Sequence, residues 1–200
     1  MRKIFLAFIL ASISSISFGQ SFMHGAGITI FGSTTGEGSS SDIGFGEGFT
    51  YTPRFNFFET EKLSVSVSVP LSVGITASTT EYDMYGDQKT AVGFLLNVPV
   101  IVSLNMGRGS SKANRQKMGY FFGAGFGYHH GDVITSEVID YNNGTFSNSY
   151  TSNTFGPAAN AGVRMGVGRK YKNIEVRLSY MKGMNEKKPN IFSVACLFNF

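Results

Sequence analysis

Tryptophan is absent from this 200-residue chain, proline occurs five times, and the one cysteine is Cys196. A single cysteine leaves no intramolecular disulfide framework and no cysteine-based zinc cluster. Charge is scarce as well: Asp, Glu, Lys and Arg make up 15% of residues, with a formal net charge of +4. Arg2 and Lys3 stand in an N-terminal segment marked for removal, and without them 15 basic residues face 13 acidic ones. That balance gives no reason to expect a nucleic-acid partner. Also missing is any helix-length apolar run beyond that segment. If such a chain enters a membrane it does so as a closed barrel, because lipid offers no hydrogen-bond partner to an open strand edge.

The N-terminal segment is basic at Arg2-Lys3, apolar from Ile4 to Ala11, and Ser-rich from Ser12 to Ser17 before Phe18-Gly19-Gln20. This is the pattern of a secretory signal, and its apolar core is too short to cross a bilayer as a helix. We expect residues 1–20 to be a cleaved signal peptide, cut near Gly19 or Gln20, and residues 21–200 to be one domain.

That domain is rich in glycine (25 residues in the chain) and phenylalanine (19), set out in alternation. In the stretch from Lys62 to Ala77, Leu63, Val65, Val67, Val69, Leu71, Val73, Ile75 and Ala77 share one parity. Ser64, Ser66, Ser68, Pro70, Ser72, Gly74 and Thr76 share the other. A period of two is the signature of a strand. Its length exceeds the usual ~5–6 residues of a soluble strand and suits a tilted bilayer crossing of ~9–11 residues with extensions. Similar alternation predicts strands over 22–32, 42–57, 91–105, 119–128, 154–168, 173–182 and 190–200, about eight in all. An even number puts both termini at one end, as in bacterial outer-membrane barrels. A soluble lipocalin-like barrel also has about eight strands, with its bulk inside. Here the small polar row is too rich in glycine to fill an apolar core, so the bulky row is expected to face lipid.

The final segment, Phe192-Ser193-Val194-Ala195-Cys196-Leu197-Phe198-Asn199-Phe200, completes a pattern that resembles the small outer-membrane β-barrels of the OmpA/OmpX-like superfamily. The likeness is greatest to the Bacteroidota-type single-domain "outer membrane protein beta-barrel" proteins, and it covers the whole mature chain. It implies an all-β, transmembrane, antiparallel up-and-down barrel in the outer membrane of a Gram-negative cell, reached by signal-directed export. It also implies contact with outer-membrane lipid and lipopolysaccharide, and Phe198 and Phe200 as part of the signal read by the barrel-assembly machinery. The chain ends at the barrel, so no peptidoglycan-binding domain is expected.

With both termini in the periplasm, loops near 33–41, 78–90, 131–153 and 183–190 face outward. The first three hold Glu37, Glu81, Asp83, Asp87, Asp132, Glu137 and Asp140 against Lys89 alone. The inner connections and their neighbours carry Arg108, Lys112, Arg115, Lys117, Arg169, Lys170 and Lys172. Asn142-Asn143-Gly144 predicts a tight hairpin turn, so the fifth and sixth strands are expected to continue above the membrane as a two-stranded ribbon; a variable loop is the alternative.

Arg54, Arg164, Glu175 and Arg177 fall on inward parity. Inside a narrow barrel such charges pair or reach water, because an isolated buried ion is costly. Glu175 bridging two arginines is the structural expectation, and a gated ion path is the functional alternative. Barrels of this size are filled by side chains, which argues against a wide pore. His129 and His130 sit where the fifth strand leaves the membrane, but adjacent residues point to opposite faces and no serine follows closely, so no catalytic site is assigned. Metal binding at His130 and Asp132 has too few ligands. Gly123-Ala124-Gly125-Phe126-Gly127 lies on a strand instead of at a helix start, which removes a nucleotide-loop meaning. No cofactor is expected. The chain is therefore read as a monomeric, non-enzymatic outer-membrane barrel that serves surface interaction, adhesion or envelope integrity through its external loops, with an unidentified extracellular ligand. A narrow porin-like channel for ions or small solutes is the alternative, and a lipid A-modifying enzyme a third reading.

Overall fold

A computed structural model describes residues 21–34, 44–82, 88–137, 146–168, 170–185 and 188–200. The expected signal peptide and the Asn142-Asn143-Gly144 turn lie outside them. Nine strands follow in chain order: β1 (Ser21–Thr34), β2 (Gly44–Phe57), β3 (Leu63–Ser68), β4 (Leu71–Tyr82), β5 (Gln88–Gly107), β6 (Met118–Glu137), β7 (Phe146–Gly166), β8 (Asn173–Lys182) and β9 (Asn190–Asn199). Each pairs antiparallel with its neighbours, and β9 returns to pair with β1. Among the described residues no helix is long and apolar enough to cross a membrane.

The stretch from Lys62 to Ala77, expected as one strand, is divided at Val69–Pro70 into β3 and β4. Pro70 has no N–H for the ladder. Both halves nevertheless pair with β2 and β5 in a single register: Arg54↔Ser68 and Tyr51↔Leu71 on one side, Ser68↔Ile101 and Ser72↔Asn97 on the other. The Val69 N–H donates to the Pro53 carbonyl at 3.1 Å across the gap. β3 and β4 are therefore one stave, and the ring has eight.

Following cross-strand partners around the ring gives its shear. From Ser21 the path runs through Asn56, Ser66, Ser103, Gly123, Asn160, Ser179 and Ser193 and arrives at Phe31, ten residues further along β1. Eight staves that climb ten residues per circuit close into a narrow barrel with strands tilted by ~35–45°.

One predicted loop, near 78–90, is partly strand, and the ribbon expected of the fifth and sixth strands is present as far as Glu137↔Phe146. β4 runs on to Tyr82 and β5 begins at Gln88, with an irregularity between Thr80 and Tyr82. β6 and β7 stay paired from Met118↔Met165 to Glu137↔Phe146, well past the end of β8. Backbone pairing does not require an apolar–polar alternation, so these strand ends carry little of the signal that marks a strand in sequence.

Bulk faces outward. Phe126, Val92 and Phe155 are 66%, 69% and 69% exposed, and Ile28, Phe45, Phe94, Leu178 and Val194 stand in the same outer rows. The lumen is less uniform than the expected small polar lining. Toward the end with the termini it is polar, with Arg54, Asn56, Ser64, Ser66, Asn105, Arg164, Asn173 and Glu175 buried. Higher up, Phe31, Leu95, Ile101, Ala158, Met181 and Ile191 form an apolar cluster that fills it. These large inward residues interrupt otherwise small rows, and eight staves leave an interior that side chains can occupy completely.

Candidate functional site

Four charged side chains meet in the lower lumen. β8 carries Glu175 and Arg177 two residues apart, so both point inward; β7 places Arg164 directly opposite Glu175, and β2 brings Arg54 from across the barrel. Glu175 Oε1 accepts from Arg177 Nε at 2.8 Å and Nη2 at 2.5 Å. Glu175 Oε2 accepts from Arg164 Nε at 2.7 Å and Asn199 Nδ2 at 3.0 Å. Arg54 Nη1 stands 4.0 Å from the same oxygen. The carboxylate is 0% exposed, and every lone-pair direction it has is directed at a donor.

A polar shell extends this arrangement. Arg164 Nη1 donates to Asn105 Oδ1 at 2.8 Å, and Asn105 Nδ2 donates to Ser66 Oγ at 2.8 Å. The Arg164 guanidinium also lies 4.1 Å from the centre of the Phe121 ring, a cation–π contact inside the lumen. Asn199 Nδ2 also donates to Asn173 Oδ1 at 2.7 Å, so the last strand of the ring holds the cluster from one side.

The β5–β6 connection closes the mouth below, where the sequence had suggested only a basic turn. Gly109, at φ +80°, turns the chain inward so that its carbonyl accepts from Arg54 Nη2 at 3.0 Å. Ser110 and Asn114 follow it into the interior, where Asn114 Nδ2 donates to the Glu61 carbonyl at 2.6 Å and Asn56 Nδ2 to the Ser110 carbonyl at 2.9 Å. Arg108 fastens this cap to the β7–β8 turn, donating to the carbonyls of Lys170 and of Lys172, the latter at 2.8 Å. Burial first, and then the charge of Arg115, lowers the Arg108 guanidinium from its ordinary value. The signal for this cap was Gly107-x-Gly109 followed by Ser110-Ser111 and Asn114, residue types suited to left-handed and side-chain-bonded turns.

At the other end, His129 points inward, its Nδ1 3.3 Å from Asn97 Oδ1 and its ring 6.1 Å from that of Phe31. His130 points outward, where Asn153 Oδ1 lies 2.6 Å from its Nδ1 and accepts from the Tyr128 hydroxyl at 3.0 Å. The two imidazoles thus serve opposite faces of one wall and share no substrate position. Among the described residues no three His, Cys, Asp or Glu side chains converge as metal ligands would. Phe198 and Phe200 lie in the outward row, and Phe200 exchanges backbone hydrogen bonds with His24 at 2.9 and 3.3 Å. Between the charge cluster and the apolar cluster remains a cavity of about 30 Å³, lined by Arg177 below and Phe31, Met181 and Ile191 above.

No family model matches the chain, and no curated protein matches its sequence. Among solved structures it is similar to Ail, the attachment invasion locus protein of Yersinia pestis, at 11% identity, over 91% of this chain and 99% of that one, with a TM-score of 0.48. It is similar to Neisserial surface protein A at 12% identity, over 90% and 97% of the two chains, with a TM-score of 0.48. For the outer-membrane protein OprG of Pseudomonas aeruginosa the identity is 9%, the coverage 91% and 96%, and the TM-score 0.41.

Proposed function

We propose that this chain is an integral outer-membrane β-barrel without enzymatic activity, sealed along its lumen, whose function resides in the loops at the end away from its termini. One observation carries the reading: the molecule is inside-out relative to a soluble protein. Its aromatic and aliphatic rows face outward around a closed ring while Arg164 and Glu175 are 1% and 0% exposed within it. Exposed apolar surface on every stave needs lipid to cover it. The lumen offers no solute path among the described residues: the Gly109–Asn114 cap, the ionic cluster and the apolar cluster succeed one another along the axis. This favours a sealed barrel over the porin-like alternative.

In this reading outer-membrane lipid and lipopolysaccharide meet the outward rows, the assembly machinery reads Phe198 and Phe200, and the protein acts as a monomer. The paired ribbon of β6 and β7, which reaches Glu137↔Phe146, presents its tip for surface interaction, adhesion or envelope integrity. The test has two parts. Unheated folded protein is expected to migrate differently from boiled protein on a gel and to give no conductance steps in planar bilayers. Joining Asp132 directly to Thr151 by a short turn, at a position where the two are already partners, is expected to keep the mobility shift while lowering cell adhesion or envelope integrity. Equal mobility of heated and unheated protein would overturn the barrel reading, regular conductance steps the sealed one, and unchanged adhesion and integrity the loop assignment.

A further inference from the structure

The charge cluster does not balance. Three guanidiniums, Arg54, Arg164 and Arg177, share one carboxylate, Glu175, whose oxygens are already saturated by Arg164, Arg177 and Asn199. The next negative group is Glu59 at the mouth, where Ser21 and Asn56 donate to it. One donor is left over and a second is held only at long range. Among the described residues Arg54 Nε has no hydrogen-bond partner, and Arg177 Nη1 reaches only Thr52 Oγ1 at 3.4 Å. Both arginines are only 4% exposed, so bulk water does not discharge them. An excess of buried positive charge is unfavourable without a counter-charge.

The cavity above the cluster is placed to supply one. Arg177 forms part of its wall, and Thr50, Ser72, Ser179 and Ser193 contribute hydroxyls to the same space. The Thr50 hydroxyl lies 2.6 Å from that of Thr29 and 2.7 Å from that of Ser72, a chain whose protons can reorient toward a negative guest. Its volume of about 30 Å³ holds one or two water-sized occupants, since ~10–15 Å³ by this measure suffices for a water. Phe31, Met181 and Ile191 give it an apolar roof, and Asn97 and Asn160 also line it, Asn160 with a buried Oδ1 that has no hydrogen-bond partner among the described residues. We propose that the lumen binds one small monovalent anion of chloride size against Arg177, as the counter-ion of the Arg54–Arg164–Glu175–Arg177 cluster. The site is a dead end below the apolar cluster, so it requires no conduction and does not depend on the loop assignment.

The test compares apparent thermal midpoints of the detergent-folded protein at equal ionic strength in sodium chloride, sodium bromide and sodium gluconate, the last anion being too large for the cavity. Chloride and bromide are expected to raise the midpoint saturably, by about 3–5 °C at high concentration, a size typical of specific binding to a domain of this length. Ser193→Leu fills the cavity, retains all four charges and is expected to abolish the halide response; Arg177→Met is expected to do the same. Crystals of the unaltered protein soaked in bromide are expected to show anomalous density beside Arg177, which keeps the proposal open to refutation if a variant does not fold. Equal midpoints in chloride and gluconate, an undiminished halide response in folded Ser193→Leu, or bromide density absent from the cavity would each overturn it.

Discussion

Arg164 on β7 and Glu175 on β8 are direct cross-strand partners, joined by an Nε–Oε2 hydrogen bond of 2.7 Å in which neither side chain is more than 1% exposed. Arg177 holds the other oxygen at 2.5 Å, whereas Arg54 approaches no closer than 4.0 Å. The cluster therefore has a rank order, and removing its members should have unequal effects.

Glu175→Gln leaves three guanidiniums facing one another without their shared carboxylate. Breaking a buried pair in this way costs about 3–5 kcal/mol, so a large fall in the urea midpoint of bilayer-folded protein is expected. Arg54→Met is expected to be the mildest of the three arginine substitutions, because it gives up the longest contact with Glu175 and relieves repulsion, which offsets the loss of its 3.0 Å bond to the Gly109 carbonyl. A loss as large as that of Arg164→Met would show the ordering to be wrong.

Two glycines separate close packing from backbone strain. A Cβ on Gly125 would lie 1.9 Å from the Val100 carbonyl oxygen, whereas Gly168 has φ +70° and open space around it. Gly168→Ala is expected to cost ~1–2 kcal/mol for the left-handed conformation alone. Gly125→Ala has to push two strands apart and is expected to cost more, with a slower appearance of the folded band during refolding. Equal effects in urea titration would count against the close approach of β5 and β6.

Arg108 ties two turns by donating to three carbonyls, those of Asn114, Lys170 and Lys172. Arg108→Lys keeps the charge but not the planar fork. Hydrogen exchange is expected to quicken across 110–117 and 170–172 while the strands stay protected. Unchanged exchange in both turns would mean that the cap is held by Asn114 and Ser110 without the staple.

Glu47 is a charged residue within the apolar outer rows. It is exposed, its cross-strand partners are Ile30 and Ile75, and the next outward positions along β2 are Phe45 and Phe49. A carboxylate facing hydrocarbon is unfavourable to an extent set by its depth. Glu47→Leu is expected to raise the urea midpoint in bilayers, and a fall would indicate that Glu47 lies in the aqueous zone or meets a cationic partner.

Strand positions and faces were legible in the sequence because an apolar outer wall and a crowded lumen impose opposite demands on successive residues, as from Leu63 to Ile75. Where the alternation weakens, as at 78–82 and 88–90, strand was read as loop, whereas the ribbon expected of the fifth and sixth strands is paired as far as Glu137↔Phe146. Inward parity put Arg54, Arg164, Glu175 and Arg177 into one lumen. It did not say which guanidiniums reach the carboxylate, since that follows from the ten-residue shear, a property of the closed ring. The Gly109–Asn114 cap was hidden for a related reason: its side chains bond to carbonyls distant in sequence, at Glu61, Lys170 and Lys172. The apolar cluster of Phe31, Leu95 and Met181 was obscured by the small residues around each member.

Cys196, the one cysteine in the chain, stands as a free thiol in the outward row that the proposed barrel turns to lipid. A nitroxide attached to Cys196 in bilayer-reconstituted protein is expected to relax strongly with oxygen, which partitions into lipid, and weakly with a water-soluble nickel chelate. The same order is expected for Val194→Cys and Phe192→Cys made in a Cys196→Ser background, whose labels share the row. Stronger relaxation by the nickel chelate at Cys196 and Val194 would contradict a membrane-spanning barrel with its apolar face outward.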